Sequence, residues 1–357
     1  MGQQNFIKGR GAQEKIHNRF SEHHHEFRDD FLNYLKREDE TINNTSTTFI
    51  ETFPKTIVNK VTSPDVGMMY SLNPYQGCEH GCVYCYARNS HEYWGYDAGL
   101  DFESKILVKK NAASLLEKKI KKKTWMACPI SLSGNTDCYQ PIEKKLKITR
   151  DLLKIFLKYR HPVGIITKNA LIQRDIDILS DLAKDNLVSV FLSITSLNED
   201  TRRILEPRTS SIKKRLETLE KLNSLGIPTQ VMMAPIIPSI NSHEILPLSK
   251  EVSQRGAKIM GYTVVRLNGA IGKIFTKWLE KTFPDRKDKI LHQIMECHHG
   301  NLHDTTFGRR MKGSGKIAEQ IHQMFKIARQ KYALNLTKTH LNCDLHASYK
   351  DEQLRLF

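Results

Sequence analysis

Residues 73–88 read NPYQGCEHGCVYCYAR and bring three thiols into one short loop, those of Cys78, Cys82 and Cys85. The run Met68–Leu72 comes directly before this loop and has the pattern of a strand. Two glycines in the loop let the backbone wrap closely around a bound object. Because the active sites of βα barrels form in loops that leave the carboxyl ends of strands, we expect the thiols at an active site.

The clustered thiols favour an iron–sulfur cluster over other uses of cysteine. Such clusters usually take four thiolates, so three would leave one iron open to another ligand. A zinc ion held with His80 or His91 is an alternative, but structural zinc sites usually pair two Cys-x-x-Cys knuckles and the sequence has one. A disulfide framework is unexpected with 7 cysteines, and chance clustering of buried cysteines is the last alternative. Cys128, Cys297 and Cys343 are isolated and give no basis for a second cluster.

The fold class follows from alternating patterns beyond residue 68, where short apolar runs alternate with amphipathic helical runs about six times. The predicted strands are Met68–Leu72, Thr124–Leu132, Val163–Thr167, Leu187–Thr195, Pro228–Ile237 and Ile259–Leu267. Several are apolar almost throughout, as parallel strands covered on both faces are. The alternation predicts an α/β fold with right-handed crossovers. A full eight-fold barrel needs about 250 residues, so the shorter span here predicts a partial (β/α)6 barrel.

Two of the intervening helices are marked by apolar faces. The first face consists of Leu146, Leu153, Phe156 and Leu157. The second consists of Ile212, Leu216, Leu219 and Leu222, and its helix is expected to end at Gly226, before a proline. Beyond the barrel, helices are predicted around Phe275–Phe283 and Lys316–Tyr332.

The predicted domain organisation follows these patterns. It has a polar N-terminal extension (1–55), the partial barrel (56–270), a helical C-terminal region (271–350) and a tail (351–357). The extension contains three adjacent histidines, His23–His25, whose side chains cannot all face one metal ion.

The charge balance favours a polyanionic partner. Lys and Arg number 55 and Asp and Glu 39, which gives a formal net charge of +16. Each phosphate that such a surface neutralises releases counterions; a merely basic, soluble surface is the alternative. No stretch approaches the roughly 20 apolar residues of a membrane helix, and residues 1–6 have no apolar signal region. We therefore expect a cytoplasmic protein with no membrane partner, in which cysteines stay reduced.

The spacing Cys-x3-Cys-x2-Cys after the first barrel strand, with Tyr84 before the third cysteine, resembles the signature of the radical SAM superfamily. Residues 73–82 and Gly99–Glu103 are similar to one branch, the DNA-repair-photolyase-like proteins related to spore photoproduct lyase. Further similar segments are Gly9–Ala12, Thr136–Glu143, Glu206–Arg208 and Phe307–Met311. The resemblance runs nearly from end to end.

This resemblance implies two cofactors, a [4Fe–4S] cluster on Cys78, Cys82 and Cys85 and S-adenosylmethionine. In the superfamily, the open iron binds the amino and carboxylate groups of S-adenosylmethionine, and an external donor supplies one electron. The C5′–S bond breaks, and the resulting 5′-deoxyadenosyl radical abstracts a hydrogen atom from the substrate. The protein's share is to bind, to orient and to exclude water and oxygen.

The resemblance also places cofactor contacts at the strand ends that follow the cysteine loop. Ser133, Gly134 and Asn135 are expected to meet the amino end of the methionine moiety. Lys168 is expected to meet the carboxylate or the ribose, and Tyr84 lies within the cluster signature. Asn135 could instead cap the next helix, and Lys168 could be an exposed lysine at a strand end.

Later strand ends complete the expected cofactor site. Ser193 and Thr195 resemble the ribose-binding hydroxyl groups of the superfamily, and Ala234 is expected to pass beside the adenine. Arg208 is expected to form a charge-assisted pair with the carboxylate; alternatively it stabilises its neighbour Glu206.

One departure concerns the hydrogen donor. The spore photoproduct lyases carry a donor cysteine just before the Ser-Asp that follows their second strand, and matching that motif to residues 135–137 puts Gly134 in the slot. Cys138 lies close by and is the candidate substitute, with a small buried residue as the alternative. Repair of spore photoproduct itself is therefore doubtful.

The chain ends Gln353-Leu354-Arg355-Leu356-Phe357, which resembles the peptide that binds the bacterial sliding clamp. Leu354, Leu356 and Phe357 could enter an apolar groove while Gln353 forms hydrogen bonds at its edge. A tail whose leucines fold back onto the core is the alternative.

Three functions compete. The leading hypothesis is a radical SAM enzyme of a lyase-like type that acts on DNA, in repair or base modification. The second keeps the chemistry and takes tRNA or a protein as substrate. The third is a non-enzymatic DNA-associated protein in which a cluster, or zinc, is purely structural.

Overall fold

The computed structural model describes residues 6–21, 46–334 and 340–347, so the three adjacent histidines and the clamp-like tail lie outside the described residues. The strands within it are β1 (Thr48–Thr52), β2 (Val58–Lys60), β3 (Tyr70–Leu72), β4 (Tyr75–Gln76), β5 (Lys105–Lys109), β6 (Ile130–Leu132), β7 (Val163–Thr167), β8 (Val188–Ser193), β9 (Thr229–Ile236) and β10 (Met260–Val264). The helices are α1 (Leu100–Ser104), α2 (Ala112–Ile120), α3 (Glu143–Leu146), α4 (Ile148–Lys158), α5 (Ile176–Lys184), α6 (Glu199–Leu205), α7 (Ile212–Ser224), α8 (Ile245–Gln254), α9 (Ala270–Thr282), α10 (Lys287–Glu296) and α11 (Gly315–Lys331).

The larger sheet has seven strands in the order β10-β9-β8-β7-β6-β3-β2. Six of them, β3 and β6 to β10, pair in parallel, and each falls within one predicted strand. β2 pairs antiparallel to β3 at one edge. Helices follow the parallel strands in chain order, which confirms the predicted α/β partial barrel.

β6 is much shorter than the predicted strand Thr124–Leu132, since only Ile130–Leu132 is extended and paired. Pro129 stands directly before it. A proline has no N–H to donate to a neighbouring strand, so the ladder can begin only after it.

Side chains in the parallel strands alternate between two environments. In β7, Val163 and Ile165 are buried while Gly164 and Ile166 are half-buried, and β10 has the same pattern. Successive side chains of a strand point to opposite faces. One set therefore packs against the helices, and the other faces the barrel interior, where a cleft keeps it partly accessible.

The outer helices bury the faces that periodicity predicts. Of the first predicted face, Leu153 and Phe156 are fully buried in α4 and Leu157 is half-buried. The prediction of one helix was wrong for Leu146, which ends the separate helix α3, because Lys147 between the two helices has a positive φ of 56°. All four apolar residues predicted for the second helix are buried in α7. Gly226 follows that helix with a positive φ of 74°, a backbone conformation that costs glycine little, and ends it as expected.

A second sheet of three strands, in the order β1-β5-β4, was not predicted. β4 belongs to the NPYQGCEHGC stretch itself and pairs antiparallel to β5. β1, which comes from the predicted polar extension, pairs in parallel with β5 through all five of its residues. The end of the extension is therefore part of the folded body beside the cysteine loop.

The helical C-terminal region packs against the barrel from two sides. Trp278 of α9 is fully buried in an apolar cluster that includes Cys82 and Tyr84 of the cysteine loop. Phe325 of α11 stacks on Tyr262 of β10 with ring centroids 4.0 Å apart. α9 therefore supports the cysteine loop, and α11 covers the last barrel strand.

Candidate active site

The three cysteines lie in the loop that follows β3, at the carboxyl edge of the parallel strands. Cys78 and Cys82 are buried and Cys85 is half-buried. Backbone hydrogen bonds fix the loop: the amide of Cys78 donates to the carbonyl oxygen of Phe102 at 2.8 Å, and that of Val83 to Leu205 at 3.1 Å. The thiols are therefore held by backbone contacts to two separate helices, α1 and α6.

The loop conformation depends on two glycines. Gly77 and Gly81 have φ values of 79° and 67°. A Cβ atom on Gly77 would lie 2.9 Å from the carbonyl oxygen of Lys105, and one on Gly81 would lie 2.7 Å from the Glu103 carboxylate. The close wrapping expected from the sequence is thus present, and neither position has room for a side chain.

Electrostatics keep the thiols of Cys82 and Cys85 protonated in the absence of a metal. Burial, then Glu206, raises the pKa of Cys82 well above its usual value, and burial also raises the pKa of Cys85. Lys168 opposes both shifts. Because metal ligation requires the thiolate, a bound cation would have to displace these protons.

The surroundings of the thiols suit a cluster better than one ion. Among the described residues, no three His, Cys, Asp or Glu side chains converge as ligands of a single metal ion would. The ligands of a cluster bind different irons and are spaced more widely. His91, an alternative zinc ligand, is buried beside Phe102, and burial lowers its pKa to about 4.

A fully buried ion pair anchors the cysteine loop. Arg88 and Glu103 both have no exposed side-chain surface, and Nη2 of Arg88 lies 2.5 Å from Oε1 of Glu103. Nε of Arg88 donates to the carbonyl oxygen of Cys82 at 2.9 Å, and Nη1 donates to that of Gly99 at 3.0 Å. The pair ties the loop to the turn before α1.

The same carboxylate holds residues 9–12, which we call the N-terminal strap. The amides of Gly11 and Ala12 donate to the two oxygens of Glu103 at 3.0 and 2.7 Å. Arg10 donates from Nη1 to the backbone oxygen of Glu103 at 2.6 Å. A Cβ on Gly11 would lie 1.8 Å from the backbone oxygen of Gly81. The strap therefore lies directly on the cysteine loop.

Ser133, Gly134 and Asn135 form a fixed loop after β6. Oδ1 of Asn73 accepts the amides of Gly134 at 2.9 Å, Asn135 at 2.8 Å and Thr136 at 3.2 Å. The side chain of Asn135 donates to Gln76 and Ser90 instead of capping the next helix. Asn73, which sequence reasoning left without a role, thus sets the position of the whole loop.

Lys168 and Ser193 meet at the neighbouring strand ends. Nζ of Lys168 donates to the Ser193 hydroxyl at 2.9 Å and lies 6.0 Å from the ring centroid of Tyr84. Lys168 follows β7 in the same alternating set as Gly164 and Ile166, whose side of the strand faces the barrel interior. Its ammonium group therefore faces the cleft, and Lys168 is not an exposed lysine at the outer surface.

Glu206 completes this side of the cleft and was not singled out from the sequence. Its Oε1 accepts the hydroxyls of Tyr84 and, at 2.8 Å, Thr195, while Arg215 pairs with Oε2 at 2.6 Å. We call Tyr84, Lys168, Ser193, Thr195 and Glu206 the cleft wall. Although burial opposes ionisation, Arg215 and Lys168 lower the pKa of Glu206 to about 2, so it is an anion at neutral pH.

Arg208 lies on the other side of the cysteine loop. Nη2 pairs with Glu79 at 3.2 Å and Nη1 donates to Thr47 at 3.3 Å. The alternative interpretation, that Arg208 stabilises Glu206, is wrong because Arg215 occupies that position.

Two further predicted residues occupy contrasting places. Cys138 is fully buried in the main core, and burial raises its pKa well above the usual value. This is where a small buried residue would lie, and the thiol does not reach the cleft. Ala234 is half-buried in β9 before a cis peptide bond to Pro235.

Tyr86 is a cleft residue that sequence reasoning overlooked. It follows Cys85 directly, its side chain is 56% exposed, and its hydroxyl donates to the backbone oxygen of Gly134. It therefore bridges the cysteine loop to the loop after β6. The position of Tyr86 next to the third cysteine could have identified it as a site residue from the sequence.

Comparison with known proteins establishes the family. Residues 72–252, just over half of the chain, match the model of the radical SAM superfamily. The chain therefore belongs to the radical SAM superfamily and is a radical SAM enzyme, and this family uses S-adenosylmethionine and a [4Fe–4S] cluster.

Two relatives are similar across most of their length. An uncharacterized protein of Mycobacterium tuberculosis is 29% identical over 241 residues, 67% of this chain and 71% of the relative. An uncharacterized protein of Methanocaldococcus jannaschii is 31% identical over 225 residues, 63% of this chain and 80% of the relative.

Among solved structures, spore photoproduct lyase complexed with dinucleoside spore photoproduct matches with a TM-score of 0.58 and 15% identity, covering 81% of each chain. A variant of that lyase with bound AdoMet and the same dinucleoside matches with a TM-score of 0.57 and 15% identity. The likeness confirms the fold. In the described residues, no helix is long and apolar enough to cross a membrane.

Replacing Glu103 by Gln tests the buried anchor. The amide keeps the shape of the side chain but leaves Arg88 buried without a counter-charge, so we expect a loss of about 3–5 kcal/mol in the free energy of unfolding. Hydrogen exchange at the amides of Gly11 and Ala12 should accelerate. Glu117→Gln on α2, which breaks a surface pair with Lys158, should cost about 1 kcal/mol or less. Equal losses for both variants would contradict the role of the anchor.

The stability contributed by Glu206 should depend on pH. Its pKa falls from a usual value of 4.5 to about 2 on folding, so its contribution is full above pH 4.5 and is lost as the pH falls toward 2. The shift corresponds to about 3 kcal/mol. Chemical denaturation of wild type and Glu206→Gln should show a gap of that order at pH 7 that narrows between pH 4.5 and 3. A gap that stays constant over this range would contradict the assignment.

Proposed function

We propose that Cys78, Cys82 and Cys85 hold the [4Fe–4S] cluster of this enzyme and that its radical chemistry acts on DNA. When bound, the cluster supplies the electron that cleaves S-adenosylmethionine to a 5′-deoxyadenosyl radical. The observation that supports the ligand assignment is a buried loop of three thiols that has two glycines without room for a side chain.

The loop after β6 is the proposed site for the amino end of the methionine moiety. Ser133, Gly134 and Asn135 lie at the carboxyl edge next to the cysteine loop. Asn73 holds the backbone of Gly134 and Asn135, and the Ser133 hydroxyl accepts the amide of Cys138. A prepositioned loop loses little conformational freedom when the ligand binds.

The cleft wall is the proposed site for the carboxylate and ribose. Lys168 offers an ammonium group facing the cleft, and Ser193 is the hydroxyl it already contacts. The hydroxyls of Tyr84 and Thr195 are engaged by Glu206, so we propose that they shape the site and that Lys168 and Ser193 make the direct polar contacts.

Two further contacts complete the proposed cofactor site. Ala234 has the small side chain that a flat adenine needs beside it on β9. Arg208 already pairs with Glu79 and donates to Thr47, so a carboxylate would compete with these partners for its guanidinium. We therefore propose that Ala234 lies beside the adenine. The proposed pairing of Arg208 with the carboxylate has less support than the role of Ala234.

Three observations support DNA as the substrate. The formal net charge is +16, which favours a polyphosphate partner. Exposed aromatic side chains, among them Tyr86 and Phe307, offer surfaces on which bases stack. The structures with similar folds include a lyase in complex with a dinucleoside photoproduct.

The reaction proposed here differs from that of the photoproduct lyases. Gly134 occupies the slot of their donor cysteine, and a Cβ there would lie 3.3 Å from Cβ of Ser71. Cys138 is fully buried and does not substitute for it without a rearrangement. We propose another DNA lesion or a modified base as the target.

The partners follow from this proposal. An external one-electron donor reduces the cluster, and a cytoplasmic location keeps the cysteine thiols from forming disulfides. The tail at residues 353–357 is the proposed sliding-clamp peptide, which would bring the enzyme to replicating DNA. The four-part domain organisation remains our proposal. Its first boundary, at residue 55, lies between β1 and β2, so the end of the N-terminal extension includes a strand.

Formation of 5′-deoxyadenosine by anaerobically reconstituted, reduced protein is the test, with and without ultraviolet-irradiated DNA. We expect the rate to rise sharply with the DNA, since substrate binding completes the site. A rate that responds to tRNA or a cell extract but not to DNA would contradict the DNA assignment. No product in the presence of a bound cluster would contradict the radical chemistry.

Cys82→Ala tests the ligand assignment. Its iron and labile sulfide should fall to background while circular dichroism shows a folded chain, because one of three ligands is gone. Cys297→Ala is the matched control, since Cys297 is also fully buried but lies in the main core. Full iron content in Cys82→Ala would refute the assignment.

A further inference from the structure

Arg266 differs from its neighbouring arginines. In the part of the chain that the structure describes, no hydrogen-bond acceptor or ion-pair partner engages its side chain. Arg310 pairs with Asp65 at 2.5 Å and Arg309 pairs with Asp304 at 2.5 Å. Arg266 is nevertheless half-buried, so its charge has lost part of its hydration without a compensating protein anion.

Its backbone is fixed at the mouth of the barrel. Arg266 follows β10, and the residues on either side of it are hydrogen-bonded: Val265 donates its amide to Ile236 at 2.9 Å, and Leu267 donates to Leu302 at 2.9 Å. His298 also contacts the carbonyl oxygen of Val265 at 2.7 Å. The unpartnered side chain therefore does not result from a loose loop.

Hydrogen bonds hold the segment that contains Arg266 beside the candidate active site: Nδ2 of Asn89, three residues after Tyr86, donates to the carbonyl oxygen of Asn268 at 2.9 Å, and its Oδ1 accepts the amide of Ala270 at 3.1 Å. Burial, then Arg310, lowers the pKa of Arg266, whereas Asp65, Tyr86 and Asp304 act in the opposite direction. Tyr86 follows Cys85 and contacts the loop after β6. Arg266 therefore lies on the side of the mouth where the cysteine loop meets the loop after β6.

The local field at this place is positive. The two nearby carboxylates, Asp65 and Asp304, are already neutralised by their own arginines. An unpaired guanidinium then presents its N–H groups in the fork that matches a phosphate. Phe307, 58% exposed and 4.4 Å from the guanidinium of Arg310, adds an aromatic surface on the same segment.

We propose that Arg266 binds a backbone phosphate of the nucleic-acid strand whose nucleotide enters the cleft. This inference rests on the proposed function and names the group that positions the substrate at the mouth. The arriving phosphate supplies the counter-charge that the half-buried guanidinium lacks, which favours binding at this point over other basic positions on the surface.

The test measures binding of a fluorescein-labelled single-stranded DNA to the anaerobically reconstituted enzyme by anisotropy between 50 and 200 mM salt. Arg266→Gln should weaken binding about tenfold at low salt and reduce the log–log salt slope by about 0.7, the value for one phosphate contact on a single strand. Arg266→Lys should restore the slope but only part of the affinity, because an ammonium cannot form the bidentate contact.

Arg255→Gln is the matched control. It removes the same charge from the end of α8, before β10 begins, at the opposite edge of the barrel. Its affinity and salt slope should match wild type. Iron content of Arg266→Gln should match wild type and its thermal unfolding should occur at the same or a slightly higher temperature, because an uncompensated charge is removed and no protein partner is lost.

The outcomes separate the two proposals. A wild-type enzyme that does not bind DNA at low salt overturns the DNA substrate and this inference together. Salt-dependent binding that Arg266→Gln leaves unchanged overturns the inference alone. Normal DNA binding with weakened S-adenosylmethionine binding in Arg266→Gln, measured by equilibrium dialysis, would also overturn it, because the arginine would then serve the cofactor's carboxylate.

Discussion

The buried ion pair between Arg88 and Glu103 is the contact on which the active-site end of the molecule depends. Three segments far apart in the sequence meet at it: the cysteine loop, the turn at Gly99 and the strap around Gly11. A charge pair without solvent contact is tolerated only when hydrogen bonds satisfy its remaining donors and acceptors. In this protein, the remaining hydrogen bonds of Arg88 and Glu103 go to backbone groups of the surrounding loops. The hydrogen bonds that satisfy the ion pair therefore also fix the position of the cysteine loop and its three thiols.

Glu206 plays the corresponding part on the other side of the cysteine loop. Arg215 neutralises it, and its remaining lone pairs accept the hydroxyls of Tyr84 and Thr195. Burial alone would favour a protonated acid, so the low pKa depends on the cations Arg215 and Lys168. For Cys82 the balance is the opposite: burial and then Glu206 raise its pKa, and of these two cations only Lys168 opposes them. The cysteine loop thus lies beside a permanent anion, Glu206, and its residues Cys82 and Cys85 become anions only when a metal binds.

The sequence was sufficient for the parts of the fold that depend on local pattern. All six parallel strands and the apolar face of α7 follow from periodicity, because one face of each element must be buried. The predicted start of β6 at Thr124 was wrong, because Pro129 has no N–H group to donate to a neighbouring strand. The pairing of β1 with β5 could not be foreseen, since a short polar strand gains its partner only through contacts between distant residues. The same distinction applies to the site. The cysteine spacing is a local pattern and predicted the candidate ligands, whereas the roles of Glu206 and Asn73 depend on contacts between distant residues and are seen only in the structure.

Three arginines near the active site differ in how their charge is balanced. Arg88 and Arg215 are fully buried, and each faces a buried carboxylate, so their charges are neutralised inside the protein and serve to hold loops. Arg266 is only half-buried and has no partner among the described residues. A structural charge must be satisfied in the free protein, whereas a binding charge is useful only if it stays unsatisfied until the ligand arrives. By that criterion Arg266 fits the role that we propose for it, the binding of an anionic substrate at the mouth of the barrel beside Tyr86.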